Sequence, residues 1–493
     1  LRNYLLTERN LLIDPCWSAK DLGEPLPSRP HAVSVALPRW EDVIAYEEKV
    51  PACINSLKAI YPRFGFNPFV AEIARKSLEF HGESNKSSWP YPNRASALSA
   101  QEYCLRKNSD CFSKIEDFLG VSCLIIDQKN TSSAKAFWQH TGLGLSSREA
   151  AIALGKEKKP LTSDGDCARE ELIKRLANIY NCDNSLIRLH RSGMAALTTI
   201  ISAINCIKGT SSTLQIGFPY VDVLKLPQII FQGSDLIIKT KLNHIKEELD
   251  KKNPAALIIE IPSNPLLQCV DLISISKLAK EKNIPVIVDD TIGSSLNVHL
   301  TPYADVIFSS LTKSFAGRGD ILAGSTVISP YSKWKKEIAE IIPKVALSTL
   351  SDSDAIELEL TSRDVKDRLK RLNQSCLKLK EKLETKKEIS KVLHPQYCKN
   401  FNSLLKKGGG YGCLLSFELK GGIEESKRVY DSLRVNKGPS LGTNFTLVCP
   451  YVQLAHFKEL KWAESCGVSE HLLRVSVGLE NEDELWSRFN SVI

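Results

Sequence analysis

The 493-residue sequence lacks the features by which metal-binding, disulfide-rich and membrane-spanning chains are recognised. Its nine histidines form no His-x-x-x-His pair, so we predict no metal site. Its fourteen cysteines include no Cys-x-x-Cys pair and no recurrent spacing, which favours reduced thiols and the cytoplasm. No apolar run approaches the roughly 20 residues that span a bilayer, so we expect no membrane partner.

The sequence also lacks a strong excess of one charge. Lys and Arg number 65 against 57 Asp and Glu, and the net charge of +8 is interspersed along the chain. A mild and unclustered charge indicates no nucleic-acid partner. With 43% hydrophobic residues, the chain is long enough to bury a large core.

The hydrophobic pattern divides the chain into three regions. Residues 1–165 are predicted to be a partly helical N-terminal extension with a role at a subunit interface, in which Ser87–Pro92 reads as a loop. The chain starts at Leu1 without a methionine, so we expect an incomplete start from which any targeting signal would be missing. Residues 166–345 alternate short apolar runs with helical segments, which is typical of an α/β domain. Residues 346–493 predict a smaller α+β domain.

A lysine, Lys313, stands just after a short apolar run, Ala304–Phe308, within Ser309-Ser310-Leu311-Thr312-Lys313-Ser314. A lysine at such a strand end, flanked by hydroxyls, can form a Schiff base with an aldehyde cofactor. Most lysines are solvated surface charges. The interpretation therefore requires a phosphate cradle, a carboxylate for a pyridinium nitrogen and an anchor for a substrate carboxylate.

Small residues open a helix at Ser192-Gly193-Met194-Ala195-Ala196, after the apolar run Leu186–Leu189. Free N–H groups and the positive end of the helix dipole suit a phosphate at such a place. An ordinary serine N-cap is the alternative interpretation.

Two polar residues follow predicted strands at the edge where α/β proteins bind ligands. Asn264, in Glu260-Ile261-Pro262-Ser263-Asn264-Pro265, can donate to a phenolate oxygen, or it is simply a turn residue before proline. Asp289 ends an apolar strand, and a buried carboxylate there needs a partner such as a protonated pyridine nitrogen. A helix cap is the alternative role for Asp289.

In chain order, these motifs resemble the pyridoxal-phosphate (PLP) enzymes of cysteine and methionine metabolism, the cystathionine γ-synthase and lyase family of fold type I. Leu473-Arg474-Val475-Ser476-Val477-Gly478-Leu479-Glu480 matches the Arg-x-Ser-Val-Gly-Leu-Glu motif of that family. The resemblance covers residues 166–493, and residues 26–35 with 61–64 are similar to the extension of fungal cystathionine γ-synthases. It implies an α/β fold with a mainly parallel mixed sheet in the large domain and a smaller C-terminal α+β domain.

The resemblance also implies a role for each motif residue. Lys313 would be the catalytic lysine that binds the PLP aldehyde, and Asp289 would pair with the pyridine nitrogen. Asn264 would contact the phenolic oxygen, while Arg474 and Ser440 would bind the substrate carboxylate. The phosphate would be held by Ser192, Gly193, Met194, Ser310 and Thr312.

Two further contacts of the family have less direct matches here. Tyr220 is the best candidate for the tyrosine that stacks on the cofactor ring, although the glycines that usually follow it are absent. The family completes the phosphate site with the arginine of a Tyr-Ser-Arg motif from a neighbouring subunit. We favour Arg148, in Ser146-Ser147-Arg148, over Arg63, in Tyr61-Pro62-Arg63.

The implied activity is the replacement of the acyl group of an O-acetyl- or O-succinylhomoserine by cysteine, which yields cystathionine. The alternatives within the family are an O-acetylhomoserine sulfhydrylase and a carbon–sulfur lyase that cleaves cystathionine. The non-enzyme alternative is a catalytically idle regulatory homologue. The resemblance implies small amino-acid substrates and a homodimer or homotetramer.

Overall fold

The strands form three separate sheets in the computed structural model, which describes residues 9–493. The expectation of an incomplete start concerns residues 1–8, which lie outside the described residues. The strands are β1 (Lys86–Tyr91), β2 (Ser113–Phe118), β3 (Val121–Asp127), β4 (Ile187–His190), β5 (Thr213–Ile216), β6 (Ser234–Ile237), β7 (Leu257–Glu260), β8 (Val286–Asp289), β9 (Val306–Ser310), β10 (Gly324–Ile328), β11 (Ile389–Leu393), β12 (Leu414–Leu419), β13 (Asn436–Lys437), β14 (Leu447–Pro450) and β15 (Leu473–Ser476).

Helices surround the three sheets. They are α1 (Trp40–Glu47), α2 (Pro51–Ser56), α3 (Pro68–Phe80), α4 (Arg94–Lys107), α5 (Thr131–Thr141), α6 (Ser147–Ala153), α7 (Thr162–Tyr180), α8 (Gly193–Lys208), α9 (Val221–Ile229), α10 (Leu242–Lys251), α11 (Leu272–Glu281), α12 (Lys335–Val345), α13 (Asp352–Thr361), α14 (Val365–Glu384), α15 (Lys399–Asn402), α16 (Gly422–Ser432), α17 (Tyr451–Ala455), α18 (Leu460–Ser465) and α19 (Glu482–Asn490). No helix among residues 9–493 combines the length and apolar composition that crossing a membrane requires.

The seven-stranded sheet has the order β4-β10-β9-β8-β7-β5-β6, and β10 alone pairs antiparallel with its neighbours. Its β-branched and aliphatic side chains are buried on both faces, as expected for parallel strands. Helices α8, α9 and α12 pack on one face, and α7, α10, α11 and α13 pack on the other. The carboxyl ends of β4, β7, β8 and β9 therefore share one edge, which positions the residues that follow them.

The five-stranded sheet of the C-terminal domain has the order β11-β12-β15-β14-β13. Its core includes side chains from an N-terminal segment, residues 9–66, among them Val35, Leu37, Trp40 and Val43. The buried Lys437 ammonium fixes this segment by donating hydrogen bonds to the carbonyls of Trp17 and Pro38, at 3.2 and 2.9 Å. Residues 9–66 are thus part of the C-terminal domain in space.

The remainder of the N-terminal region forms a layer of its own. Strands β1, β3 and β2 make an antiparallel sheet that packs with α3, α4 and α5. The prediction of a loop at Ser87–Pro92 is wrong, because β1 covers Lys86–Tyr91. Pro90 is tolerated there because β1 is an edge strand, where a missing N–H costs little. This layer joins the large domain through Ala195 of α8.

Candidate active site

A cavity of about 220 Å³ opens at the carboxyl edge of the large sheet, below β15 of the C-terminal domain and beside the N-terminal segment. Of the site residues predicted from the sequence, all but Arg148 line this cavity. The residues that the structure brings together are Ser192, Gly193, Met194, Tyr220, Asn264, Asp289, Ser310, Thr312, Lys313, Ser440 and Arg474.

Lys313 reaches into the cavity from the turn after β9. Its Nζ donates hydrogen bonds to the Tyr61 hydroxyl at 3.2 Å and to Ser440 Oγ at 3.0 Å. Gly442 allows this approach, because its φ is +72° and a Cβ there would lie 2.5 Å from the backbone nitrogen of Ser314. The amine is thus fixed by two hydroxyls from other segments rather than solvated.

Asp289 supplies a buried carboxylate at the end of β8. Burial raises the pKa of Asp289 to about 7, although hydrogen bonds from Thr291 oppose the shift. No cationic side chain among residues 9–493 contributes to stabilising its charge. A buried carboxylate without a cation fits a protonated pyridine nitrogen, so the residues present are suited to a pyridoxal ring.

Glu260 is a second buried carboxylate of the site, which the sequence analysis did not assign. It ends β7 directly beside Asp289 in the sheet register and accepts a hydrogen bond from the Tyr220 backbone N–H at 2.8 Å. Burial and the neighbouring Asp289 charge raise the pKa of Glu260 well above its ordinary value. Its position in the motif Glu260–Pro265 was the available signal.

The start of α8 provides the expected anion site. Ser192 Oγ accepts a hydrogen bond from the Ala195 N–H at 3.0 Å and donates to the Gly142 carbonyl, so Ser192 is also the helix N-cap. The N–H groups of Gly193 and Met194 lie in the first turn and have no acceptor within the helix. A Cβ on Gly193 would lie 2.9 Å from the Ser310 side chain. Only glycine therefore leaves space for a phosphate between the start of α8 and Ser310.

Arg474 lies on β15 with its guanidinium buried above the cavity. Its Nη2 donates to the Ser440 carbonyl at 2.6 Å and its Nη1 to Asn264 Oδ1 at 3.3 Å. Within the described part of the chain, no atom accepts a hydrogen bond from its Nε. Ser440 adopts a φ of +87°, a strained value for a residue other than glycine and one that often occurs at binding sites. These donors suit a carboxylate.

A tyrosine pair and an ion pair close one side of the cavity. The Tyr220 hydroxyl donates to Asp222 at 2.9 Å and lies 3.4 Å from the Tyr61 hydroxyl. Burial raises the pKa of Tyr61, but the Lys313 charge and the hydrogen bonds that Tyr61 forms with Tyr220 and Lys313 outweigh it and hold that pKa below the ordinary value. The pKa of Tyr220 is raised by burial and by the Asp222 charge. Tyr61 is therefore the more acidic phenol beside the lysine.

Arg148 and Arg63 occupy different places. The Arg148 guanidinium is buried between Asp320 and Asp354, at 3.6 and 3.1 Å, and does not line the cavity. Arg63 lines the cavity and lies 3.6 Å from the Asp222 carboxylate. Its signal in the sequence was the Tyr61-Pro62-Arg63 motif, which spacing alone placed too far upstream. Within a single chain, Arg63 is thus the one of the two arginines that faces this cavity.

Two family models match the chain. Residues 127–492 match the Cys/Met metabolism PLP-dependent enzymes, and residues 69–146 match the N-terminal domain of fungal trans-sulfuration enzymes. The first match includes every cavity residue predicted from the sequence.

Two fungal proteins are similar over nearly the whole chain. The cystathionine γ-synthase of Neurospora crassa is 28% identical, and the match covers 96% of this chain and 98% of that protein. A cystathionine γ-synthase-like enzyme of Amanita muscaria, iboG2, is also 28% identical, with 95% of each chain covered.

The fold is similar to that of a solved structure, the cystathionine γ-synthase of Xanthomonas oryzae in complex with cystathionine. The TM-score is 0.60 at 22% identity, and the match covers 68% of this chain and 87% of that one. This likeness confirms the predicted fold type I architecture of a large mixed-sheet domain and a smaller C-terminal domain.

Proposed function

Because this chain belongs to the family of Cys/Met metabolism PLP-dependent enzymes, we propose that it is a cystathionine γ-synthase. It would replace the acyl group of an O-acylhomoserine by the thiol of cysteine and release cystathionine. Membership of the family confirms the resemblance seen in the sequence, and it makes pyridoxal phosphate the cofactor. One observation carries the proposal: Lys313, the uncompensated Asp289 carboxylate and the Arg474 guanidinium face one cavity.

Pyridoxal phosphate, when bound, supplies an aldehyde for the lysine and an electron-withdrawing ring that acidifies the substrate carbon next to the amino group. Asp289 would hold the ring nitrogen, and the N–H groups of Gly193 and Met194 would hold the phosphate with Ser310 and Thr312. Arg63 would add its charge to the phosphate side. Each of these assignments rests on the position of the residue around the cavity.

Arg474 would bind the α-carboxylate of the substrate. Its unpaired Nε points into a buried site, and a carboxylate there would gain charge-assisted hydrogen bonds without the full cost of desolvating a mobile cation. The Ser440 carbonyl and Asn264 already fix the guanidinium plane. This anchoring would aim the α-carbon of the substrate at the Lys313 amine.

Lys313 would move protons among the α, β and cofactor-side carbons of the bound substrate. A base that serves several atoms must be held near all of them, and two hydroxyls hold Nζ in place. Tyr61, with its lowered pKa, would stabilise the ammonium form of Lys313 after each proton uptake.

The test is a product assay on the purified protein. Incubation with cysteine and O-acetylhomoserine should give cystathionine, and O-succinylhomoserine should be the poorer donor. Lys313→Ala should abolish the product and the visible absorption that added PLP gives the parent protein.

Other products would select the alternatives. Homocysteine formed from sulfide would favour a sulfhydrylase, and pyruvate or 2-oxobutyrate released from cystathionine would favour a lyase. A colourless protein that PLP does not change, with Lys313→Ala behaving identically, would contradict any PLP enzyme and favour a regulatory homologue.

We also propose that the protein forms a homodimer or homotetramer and works in the cytoplasm. The family resemblance of the sequence supports the first proposal. Fourteen free cysteines, ten of them buried, support a reducing compartment. Light scattering on the purified protein tests the oligomer, because a monomer at micromolar concentration would contradict it. Imaging of the tagged protein in its own cells tests the compartment.

A further inference from the structure

A hydrogen-bonded serine, histidine and glutamate lie at the same cavity as Lys313 but take no part in the functions assigned above. Ser147 Oγ lies 3.0 Å from His31 Nδ1, and Glu157 Oε1 lies 2.6 Å from His31 Nε2. His31 and Ser147 line the cavity, whereas Glu157 is half-exposed behind them. The three residues come from separate segments, since His31 precedes Ser147 by 116 positions.

The carboxylate defines the state of the imidazole. The hydrogen bond from His31 holds the pKa of Glu157 below its ordinary value, so Glu157 is ionised and accepts the Nε2 proton. In the neutral imidazole, Nδ1 then carries the lone pair and accepts a hydrogen bond from the Ser147 hydroxyl. This is the serine–histidine–acid arrangement of a proton acceptor, with the two ring nitrogens exchanged relative to the serine hydrolases.

The surroundings hold the ring in this orientation. His31 is 7% exposed, and its ring packs 5.7 Å from that of Phe69. The nearest other charges are Arg148, which acts on Glu157, and Lys156, which lies over the Phe69 ring and pairs with Glu72. Neither cation is hydrogen-bonded to the imidazole, so its two ring nitrogens face Ser147 and Glu157.

The proposed replacement leaves one proton unassigned. The thiol of the second substrate has an ordinary pKa near 8.5, so at neutral pH it must lose its proton before sulfur can bond to carbon. Lys313 is held toward the substrate carbons by Tyr61 and Ser440. A separate acceptor is therefore needed where the thiol enters.

We propose that Ser147 and His31 are the base for the incoming thiol, and that Glu157 positions His31. This proposal rests on the proposed function. The thiol proton passes to Ser147 Oγ as the Ser147 proton passes to His31 Nδ1, and the sulfur electron pair forms the bond to the γ-carbon. The acyloxy group has left that carbon beforehand with its own electron pair, as a carboxylate, after Lys313 has taken protons from the α- and β-carbons, and those protons return once sulfur has bonded. The imidazolium then returns its proton to the released carboxylate or to water. Together, the homoserine ester and the thiol give a thioether and a carboxylic acid.

Comparison of two reactions of the holoenzyme tests the proposal. Cystathionine formation needs the thiol, whereas release of 2-oxobutyrate from the O-acylhomoserine in the absence of thiol does not. We expect His31→Gln and Ser147→Ala to lower the first rate at least about tenfold more than the second, because general base catalysis contributes about 10² or more. His471→Gln is the matched control, since it removes a 2.9 Å Ser469–His471 hydrogen bond outside the cavity and should change neither rate.

The outcomes separate the two proposals. Equal losses in both reactions would overturn the thiol-base proposal and leave the proposed function standing. A parent protein that forms no cystathionine from any O-acylhomoserine would overturn the proposed function and this proposal with it.

The hydrogen-bond state can be measured without turnover. In ¹⁵N-histidine NMR spectra of the protein, with His31 identified by the signals lost in His31→Gln, we expect the neutral imidazole to be protonated at Nε2. Glu157→Ala, which removes the acceptor of that proton, should lower the share of the Nε2-protonated tautomer in the neutral ring, whereas Glu157→Gln, whose amide oxygen can accept it, should not. An imidazolium, or a ring protonated only at Nδ1, would overturn the proposal, because neither leaves a base facing Ser147.

Discussion

The Asp289 carboxylate is buried without a cationic partner among residues 9–493. Its pKa is about 7 in the folded chain against about 3.9 in an unfolded one, so the folded state binds the proton more tightly. The apo protein therefore loses stability as pH rises from about 4 to about 7, by up to about 4 kcal/mol from this group. A cofactor that brings a protonated nitrogen would cancel this cost.

Asp289→Asn should separate stability from cofactor binding. We expect the apo variant to be more stable than the parent at pH 8, by up to about 4 kcal/mol, and equally stable near pH 4. PLP affinity should fall at least about tenfold, because the ring nitrogen loses a charged partner. Urea unfolding at the two pH values and PLP titration by absorbance measure both effects. The Asp289 charge also raises the pKa of Glu260, so the substitution relieves that repulsion as well and acts in the same direction at pH 8. A variant that is no more stable at pH 8 would contradict an uncompensated charge.

Arg63 and Arg148 offer a matched pair of substitutions. Arg63→Ala should lower PLP affinity about tenfold, which corresponds to the loss of a charge-assisted hydrogen bond of about 1.5 kcal/mol. Arg148→Ala should instead destabilise the fold by about 3 kcal/mol, since it leaves Asp320 and Asp354 buried with fewer partners. PLP titration and thermal unfolding of both variants provide the comparison. If Arg148→Ala instead lost PLP affinity without losing stability, Arg148 would be the phosphate-binding arginine, as the sequence analysis predicted.

Site residues that directly follow a predicted strand could be identified from the sequence. Site residues that reach the cavity from distant segments could not. Lys313, Asp289 and Asn264 could be found because a polar residue at the end of an apolar run has few other reasons to be there. Tyr61 and His31 reach the cavity across gaps of 252 and 116 residues, to Lys313 and Ser147 respectively. No local pattern encodes such contacts, so sequence motifs could suggest Tyr61 and Arg63 but could not place them.

At the scale of elements, the contact between β10 and the start of α8 sets the shape of the phosphate corner. Gly324 begins β10 between β4 and β9, and a Cβ on it would overlap the carbonyl oxygen of Ser192. Gly324→Ala should push the helix start away, destabilise the protein by about 2 kcal/mol and weaken PLP binding.

Ser325→Ala is the control for that substitution. Ser325 is the next residue of β10 and is buried, and its hydroxyl has no hydrogen-bond partner within residues 9–493. Its removal should not destabilise the protein, because no hydrogen bond is lost, and it should leave PLP titration unchanged. Equal behaviour of the two variants would show that the close approach does not shape the site.

Some strands could be recognised from their own sequence, and others could not. The buried strands of the large sheet are short apolar runs, and β7 and β8 each end in a carboxylate after three aliphatic residues. Strand β2 reads Ser-Lys-Ile-Glu-Asp-Phe and β1 contains a proline, so neither shows the alternation or apolar length that indicates a strand. Both are specified by pairing with the apolar β3, which is a tertiary effect.

At the scale of the whole molecule, one part of the N-terminal region packs on the C-terminal domain and the other part packs on the large domain. From the sequence, residues 1–165 were predicted to be a single, partly helical extension. The structure instead packs residues 9–66 into the core of the C-terminal domain and residues 68–161 against the large domain. This arrangement brings Tyr61 to Lys313. The shape of the cofactor site therefore depends on how the N-terminal segment packs on the C-terminal domain.

The N-terminal segment should therefore behave as core and not as an appendage. Leu37 is fully buried in the C-terminal domain, where the Tyr430 hydroxyl donates to its carbonyl at 2.7 Å. Leu37→Ala should cost about 3 kcal/mol through lost burial and the cavity that it leaves. Ile13→Ala, on the same segment but 72% exposed, should cost less than about 0.5 kcal/mol. Because Tyr61 and Arg63 follow on the same segment, Leu37→Ala should also weaken PLP binding, whereas Ile13→Ala should not. Urea unfolding with PLP titration on both variants measures this coupling, and a destabilised Leu37→Ala protein with parental PLP affinity would mean that the cavity keeps its shape without the segment.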